Sequence, residues 1–319
     1  MHSHNEAHDH GHAGHQHHHP VTAADVVNKA FIAGIALNGI FVVVQAIAGL
    51  LSHSMALLAD AGHNLGDVAS LVLSLAALRL ARAKPTAMYT YGYKKTTILA
   101  SLTNAVILLI TIGILGFESI ARLLHPQPIE GGIVAIVAGI GIAINFGSAL
   151  LFFKNKEHDL NTKGAYLHLL TDALVSLGVV ISGIVIRYTH WYWLDGATSL
   201  VILLVILMGT WSLLTASLRL SLDAVPGNVQ PDEIEKIILG TAGVERIHHM
   251  HIWAMSTTQN ALTTHIMLSE QLSFDEKMKV VHEVKHRLLH NNIHHATIEL
   301  ESAALPCEPA AGDDAACKL

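Results

Sequence analysis

Met55 to Leu80 reads MALLADAGHNLGDVASLVLSLAALRL. At ~1.5 Å per residue this run is long enough, as a helix, to cross a hydrocarbon core of ~30 Å. Apart from two serines it is apolar throughout except for Asp60, His63, Asn64, Asp67 and a terminal Arg79. An ionisable side chain at the centre of a bilayer costs at least ~2.5 kcal/mol, so residues of this kind inside a span need a partner or a task. His63 and Asp67 are four apart, which places them on one helical face, one turn from each other. A second apolar run repeats the device, with His168 and Asp172 inside Tyr166-Leu167-His168-Leu169-Leu170-Thr171-Asp172.

Five further blocks of comparable length surround the first. The predicted spans are Ala30 to Leu51, Met55 to Leu80, Thr96 to Leu124, Gly132 to Phe153, Ala165 to Ile186 and Trp193 to Leu214. Half of the chain is apolar (51%) and only 14% is charged, a balance that few soluble domains show. The chain is therefore expected to be an all-α bundle of six membrane helices, residues 21–221. It would follow a polar tail at 1–20, precede a small mixed α/β domain at 222–302, and end in a flexible tail at 303–319.

Lysine and arginine favour the cytoplasmic ends of short loops. Arg79, Arg82, Lys84, Lys94 and Lys95 lie between spans two and three, Lys154, Lys156 and Lys163 between spans four and five, and Lys29 and Arg219 flank the bundle. The alternate loops hold only Arg122 and Arg187. Both termini are thus expected in the cytoplasm, with Trp191, Tyr192 and Trp193 anchoring the opposite interface. The start of the chain shows no basic stretch with an apolar core and small-residue cleavage site, so no signal peptide is expected.

Depth brings the two His-x-x-x-Asp pairs together. Counted from opposite sides, Asp67 lies ~18 Å below the outer edge and Asp172 ~16 Å below it. His63, Asp67, His168 and Asp172 can therefore converge near mid-membrane. Two neutral imidazoles and two carboxylates suit tetrahedral Zn²⁺, although Co²⁺, Fe²⁺, Mn²⁺ and Ni²⁺ also accept N and O donors. The site is formally neutral with the metal or with two protons bound, whereas the empty deprotonated site holds two buried negative charges, which predicts exchange of metal against protons. The bland alternative is interhelical hydrogen bonding, and two matched pairs at one depth argue against it. An intramembrane metalloenzyme would keep an open ligand position and a general base, and no His-Glu-x-x-His motif lies in the six predicted spans. A membrane-bound metal sensor or chaperone would not need ionisable pairs at mid-bilayer. Asp60, Asn38 and Asn145 are read as structural or pathway polars.

The first twenty residues are a low-complexity histidine run that cannot bury a core. It is expected to collect metal as neutral imidazoles, through His17, His18 and His19 among others. After Pro226 the pattern changes to short elements: a helix over Asp232 to Leu239, strands over His248 to Ala254 and Ala261 to Leu268, a helix from the capping box Ser273 to Glu276 to about His290, and a strand over Ala296 to Glu301. About 80 residues make a small core that would gain from pairing with a second copy. His282, His286 and His290 recur along one helical face, and His248, His249, His251 and His265 lie on strands. They are either metal ligands or a solvated face. Cys307 and Cys317 are expected to remain inert thiols. The net charge of −6, with no basic stripe, excludes nucleic acid as a partner.

These residues resemble the cation diffusion facilitator family, especially its bacterial zinc, cadmium and cobalt efflux branch. The resemblance runs through Leu58 to Asp67, Tyr91-Gly92-Tyr93-Lys94, His168 to Asp172, Leu194-Asp195 and His251-Ile252-Trp253. It implies a homodimer of the cell inner membrane, a metallochaperone-like (ferredoxin-like) cytoplasmic domain, and proton-coupled alternating access that exports metal from the cytoplasm. It also assigns transport to His63, Asp67, His168 and Asp172, with His in the first position going with zinc over cadmium. By the same resemblance His248, His265 and His282 match regulatory metal positions, with Glu299 and Glu301 where a His and an Asp occur in some members. Thr97 stands where a glutamate is frequent. Tyr89 and Tyr93 replace loop histidines, so no loop metal site is expected.

Overall fold

The computed structural model describes residues 29–153 and 160–302, with side chains described over 38–147 and 169–302. Six long helices come first: α1 Lys29–Ser52, α2 Met55–Ala81, α3 Thr96–Leu124, α4 Gly131–Phe153, α5 Leu160–Thr189 and α6 Trp193–Ser221. Among the described residues, α2, α3, the 169–189 part of α5, and α6 are long and apolar enough to cross a membrane. The described apolar parts of α1 and α4 are shorter, Asn38–Ser52 and Gly131–Gly147. Large apolar side chains such as Val43, Ile110, Phe117, Val201 and Met208 are exposed on this bundle, the surface that hydrocarbon would cover. The tails carrying His17, His18, His19, Cys307 and Cys317 lie outside the described residues.

The predicted spans fall on these helices, with two differences. Helix α5 begins before Lys163, and α6 runs on to Ser221 rather than stopping near Leu214. No proline interrupts either extension, and Gly164 is the one glycine in them, so the helix continues past the end of the apolar block. Small residues set the closest approaches. A Cβ on Gly183 of α5 would stand 2.9 Å from Gly131 O and Ala135 N of α4, and one on Gly196 of α6 would stand 2.9 Å from Ser119 O of α3.

The C-terminal part contains α7 Pro231–Leu239, β1 Val244–Ala254, β2 Asn260–Leu268, α8 Phe274–Leu289 and β3 Ile293–Glu301. The strand order is β1-β2-β3, with β1 antiparallel and β3 parallel to β2. One sheet face carries Ile247, Ile252, Leu262, Ile266 and Leu268 against Ile234 and Ile238 of α7 and Val281, Val284 and Leu288 of α8. Ser273 and Glu276 form the expected capping box at the start of α8. Strands β1 and β3 each start a few residues earlier than their sequence pattern suggested.

This domain touches the bundle at the start of α3. Thr97 Oγ1 accepts from Thr257 N at 3.1 Å, and Lys95 Nζ pairs with Asp223 Oδ1 at 2.7 Å. That end of the bundle is therefore the one beside the C-terminal domain.

Candidate metal centre

The centre lies where α2 faces α5. His63 Nε2 stands 3.0 Å from Asp172 Oδ1 and 3.8 Å from Asp67 Oδ2. One ligand atom from each of the three residues falls within 4.8 Å of the others. Asp172 is buried, with its side chain 4% exposed, whereas Asp67 keeps 30%. With Asp172 ionised, a carboxylate can only accept, so His63 Nε2 carries the hydrogen of the shorter contact. His168 lies on α5 one turn before Asp172, and its side chain falls outside the described residues.

A cavity of about 330 Å³ opens onto these residues. Ser70 of α2, Asn104 of α3, Thr171 of α5 and Thr210 of α6 also line it. Asn104 belongs to the first third of α3 and Leu213, also on the cavity wall, to the last third of α6, so the cavity extends toward the C-terminal domain. The other side is packed. Ala56, Leu57 and Ala59 of α2, Val134 and Ala138 of α4, Val179 of α5, and Ile202 and Leu203 of α6 form one buried apolar cluster there, which Ile206 joins from the cavity wall.

Asp60, read from sequence as a structural or pathway polar, sits one turn from His63 in that packed region and is fully buried. Its Oδ2 accepts from Gln45 Nε2 at 2.6 Å and from Ser176 Oγ at 3.1 Å, while Asn64 Nδ2 donates to Gln45 Oε1 at 3.3 Å. Three helices, α1, α2 and α5, are thereby tied beside the metal centre. Gln45 and Ser176 drew no attention in the sequence. An amide in the middle of an apolar span was the available signal for Gln45, and a lone serine in a membrane helix gives none.

A second group lies on the sheet face away from α7 and α8. The strand register sets His248 opposite His265, and His265 opposite Glu299. Glu301 Oε2 lies 2.9 Å from His248 Nε2, its Oε1 2.6 Å from His265 Nδ1, and Glu299 Oε2 3.7 Å from His265 Nε2. Donor atoms of His248, His265 and Glu301 fall within 4.8 Å of one another. The β1 register shifts between His248 and His251, and His249 takes φ 50° there, a bulge that sets its ring edge-on to His248 and tilted against His265. Burial alone would raise the pKa of Glu301, but the His265 hydrogen bond and the neighbouring His248 hold it below the usual carboxylate range. His282 does not join this group within one chain; it is exposed on α8, across the sheet. Tyr89 and Tyr93, at the loop positions, have ring centroids 4.9 Å apart and line a cleft with Trp253 and Met255.

Membrane helices enclosing a His/Asp ligand set, followed by an α/β domain with its own His/Glu set, define a membrane protein built to handle a metal cation. A family model described as cation efflux transmembrane domain matches residues 31–220, and one described as cation efflux protein, cytoplasmic domain, matches 226–303. The chain belongs to the cation diffusion facilitator family, in its zinc, cadmium and cobalt branch, a family of transporters and not of enzymes. It is 37% identical over 300 residues to the metal cation efflux system protein CzcD of Cupriavidus metallidurans, covering 93% of this chain and 92% of that one. It is 33% identical over 276 residues to the cadmium, cobalt and zinc/H(+)-K(+) antiporter of Bacillus subtilis (86% and 88% covered), and 34% identical over 264 residues to the zinc transporter ZitB of Escherichia coli (82% and 83% covered).

Proposed function

We propose that this chain exports a divalent metal cation, zinc foremost, in exchange for protons, through a tetrahedral site made by His63, Asp67, His168 and Asp172. The mutual approach of the His63, Asp67 and Asp172 donor atoms at the head of a cavity carries this reading. Zn²⁺ takes N and O donors at ~2.0 to 2.2 Å, and two aspartates balance its charge in a low-dielectric setting. The Nε2 that donates to Asp172 is an atom a metal would need, so metal loading would displace that hydrogen, to Nδ1 in a neutral imidazole or to solvent from a cationic one. The names of the relatives, a cation efflux protein, a zinc/H(+)-K(+) antiporter and a zinc transporter, support the same reading.

The cavity toward the C-terminal domain and the packed opposite side fit an inward-facing state of an alternating-access cycle. In this reading α1 to α6 all span the cell inner membrane with both termini in the cytoplasm. The domain after α6 is metallochaperone-like (ferredoxin-like) and pairs with a second copy in a homodimer. His248, His265 and Glu301 bind a regulatory metal, with His282 supplying a ligand only in the assembled form, and the histidine tail around His17 to His19 gathers metal near the cavity.

Zinc uptake into proteoliposomes under an imposed pH gradient tests the proposal. Flux should follow the proton gradient and vanish in His63→Ala and Asp172→Ala; full proton-coupled flux in either variant would overturn it.

A further inference from the structure

Helix α8 carries another ligand pair, separate from both groups above. His286 and His290 are exposed, and their Nε2 atoms lie 3.4 Å apart with ring centroids at 4.7 Å. Two nitrogens bound to one tetrahedral Zn²⁺ at about 2.0 to 2.1 Å stand ~3.4 Å apart, the edge of that tetrahedron. The two nitrogens share one hydrogen at this separation, and a Zn²⁺ taking the place of that hydrogen would meet both of them.

The backbone holds the pair in place. His290 keeps helical angles (φ −71°, ψ −10°), and its N–H bonds to His286 O, so the four-residue spacing remains one helical turn. The pair stands at the C-terminal end of α8, where the helix dipole favours a cation. Arg287, the nearest arginine in sequence, is engaged by Glu283 Oε1 at 2.7 Å and by Gly240 O at 3.4 Å. Helix α8 buries Val281, Val284 and Leu288 on the sheet, while His248, His265 and Glu301 occupy the opposite sheet face. The two sets therefore cannot share one ion within a chain.

We propose that His286 and His290 form an open two-histidine site for a borderline divalent cation such as Zn²⁺, with water at the remaining coordination positions. Two protein ligands on an exposed turn suit capture and release rather than permanent retention. The site adds a fast-exchanging metal position to the C-terminal domain, and it stands whether or not the membrane centre works as proposed.

Hydrogen exchange on the full-length chain, read by mass spectrometry with and without Zn²⁺, tests it. An ion that clips one turn to the next slows local opening, so amides over residues 287–291 should exchange about tenfold more slowly at a zinc concentration ten times the dissociation constant. The slowing should disappear in His286→Gln and in His290→Gln, whose zinc-free exchange matches the native chain. No slowing in the native chain at saturating zinc, or slowing that survives in both His286→Gln and His290→Gln, overturns the site.

Discussion

Ser54 Oγ donates to Asp195 Oδ1 at 2.5 Å, joining the first turn of α2 to the first turn of α6. The same carboxylate accepts from Met55 N at 2.5 Å and from Ala56 N at 3.3 Å. These amides begin α2 and have no partner inside the helix. Asp195 thus caps a neighbouring helix from a buried position. Asp195→Ala would strand three donors, and burying an unpaired donor costs about 1 to 3 kcal/mol. We expect a loss of about 3 kcal/mol in detergent-solubilised unfolding, with a smaller loss in Asp195→Asn, which keeps one acceptor oxygen. Equal unfolding midpoints for Asp195→Ala and the native chain would contradict the cap.

The Gln45, Asp60 and Ser176 tie predicts a graded series. Gln45→Leu removes the donor at 2.6 Å to Asp60 and the acceptor of Asn64 together, so it should cost about 2 kcal/mol or more. Ser176→Ala removes one weaker donor at 3.1 Å and should cost about 1 kcal/mol. Unfolding midpoints in the reverse order would show that the tie does not hold α1, α2 and α5 together.

Why these ties escaped the sequence, while the approach of His63 to Asp67 did not, follows from periodicity. A spacing of four on one helix fixes a shared face, so His63 with Asp67 and His168 with Asp172 could be paired from the sequence, and hydropathy set the helices within a few residues. Gln45 meets Asp60, and Ser54 meets Asp195, only because particular helices pack side by side, and no local pattern records which do. The sheet divides in the same way. The strand positions of His248 and His265 were legible, but the bulge that turns His249 toward His248 depends on a positive φ at a non-glycine residue, which alternation cannot register. His282 was grouped with His248 by resemblance, yet α8 lies across the sheet from them.

His63 should set the choice of metal. His63→Asp would replace an imidazole nitrogen with a third carboxylate, giving a more negative ligand set that can chelate through both oxygens and so take a larger ion than Zn²⁺. The family resemblance points the same way, toward loss of zinc preference. Competition flux in proteoliposomes should show the zinc-to-cadmium ratio falling roughly tenfold, about 1.4 kcal/mol of differential affinity. An unchanged ratio with flux retained would place selectivity elsewhere.

Glu301 gives the C-terminal domain a defined pH response. Its pKa is held below the ordinary value of 4.5 because the His265 hydrogen bond and the neighbouring His248 outweigh the effect of burial. A carboxyl group whose folded pKa is depressed stabilises the fold fully above its unfolded pKa, and that contribution is lost as pH falls through the lower folded value. The metal-free native chain should therefore be more stable than Glu301→Gln at pH 6, and the gap should close as pH drops below about 4.5. Trp253 lies on β1, so denaturation followed by its fluorescence, with Trp191, Trp193 and Trp211 replaced by phenylalanine, reports on this domain. A gap of constant size across that range would mean that the carboxylate contributes through shape alone, and that its charge does not hold His248 and His265 together.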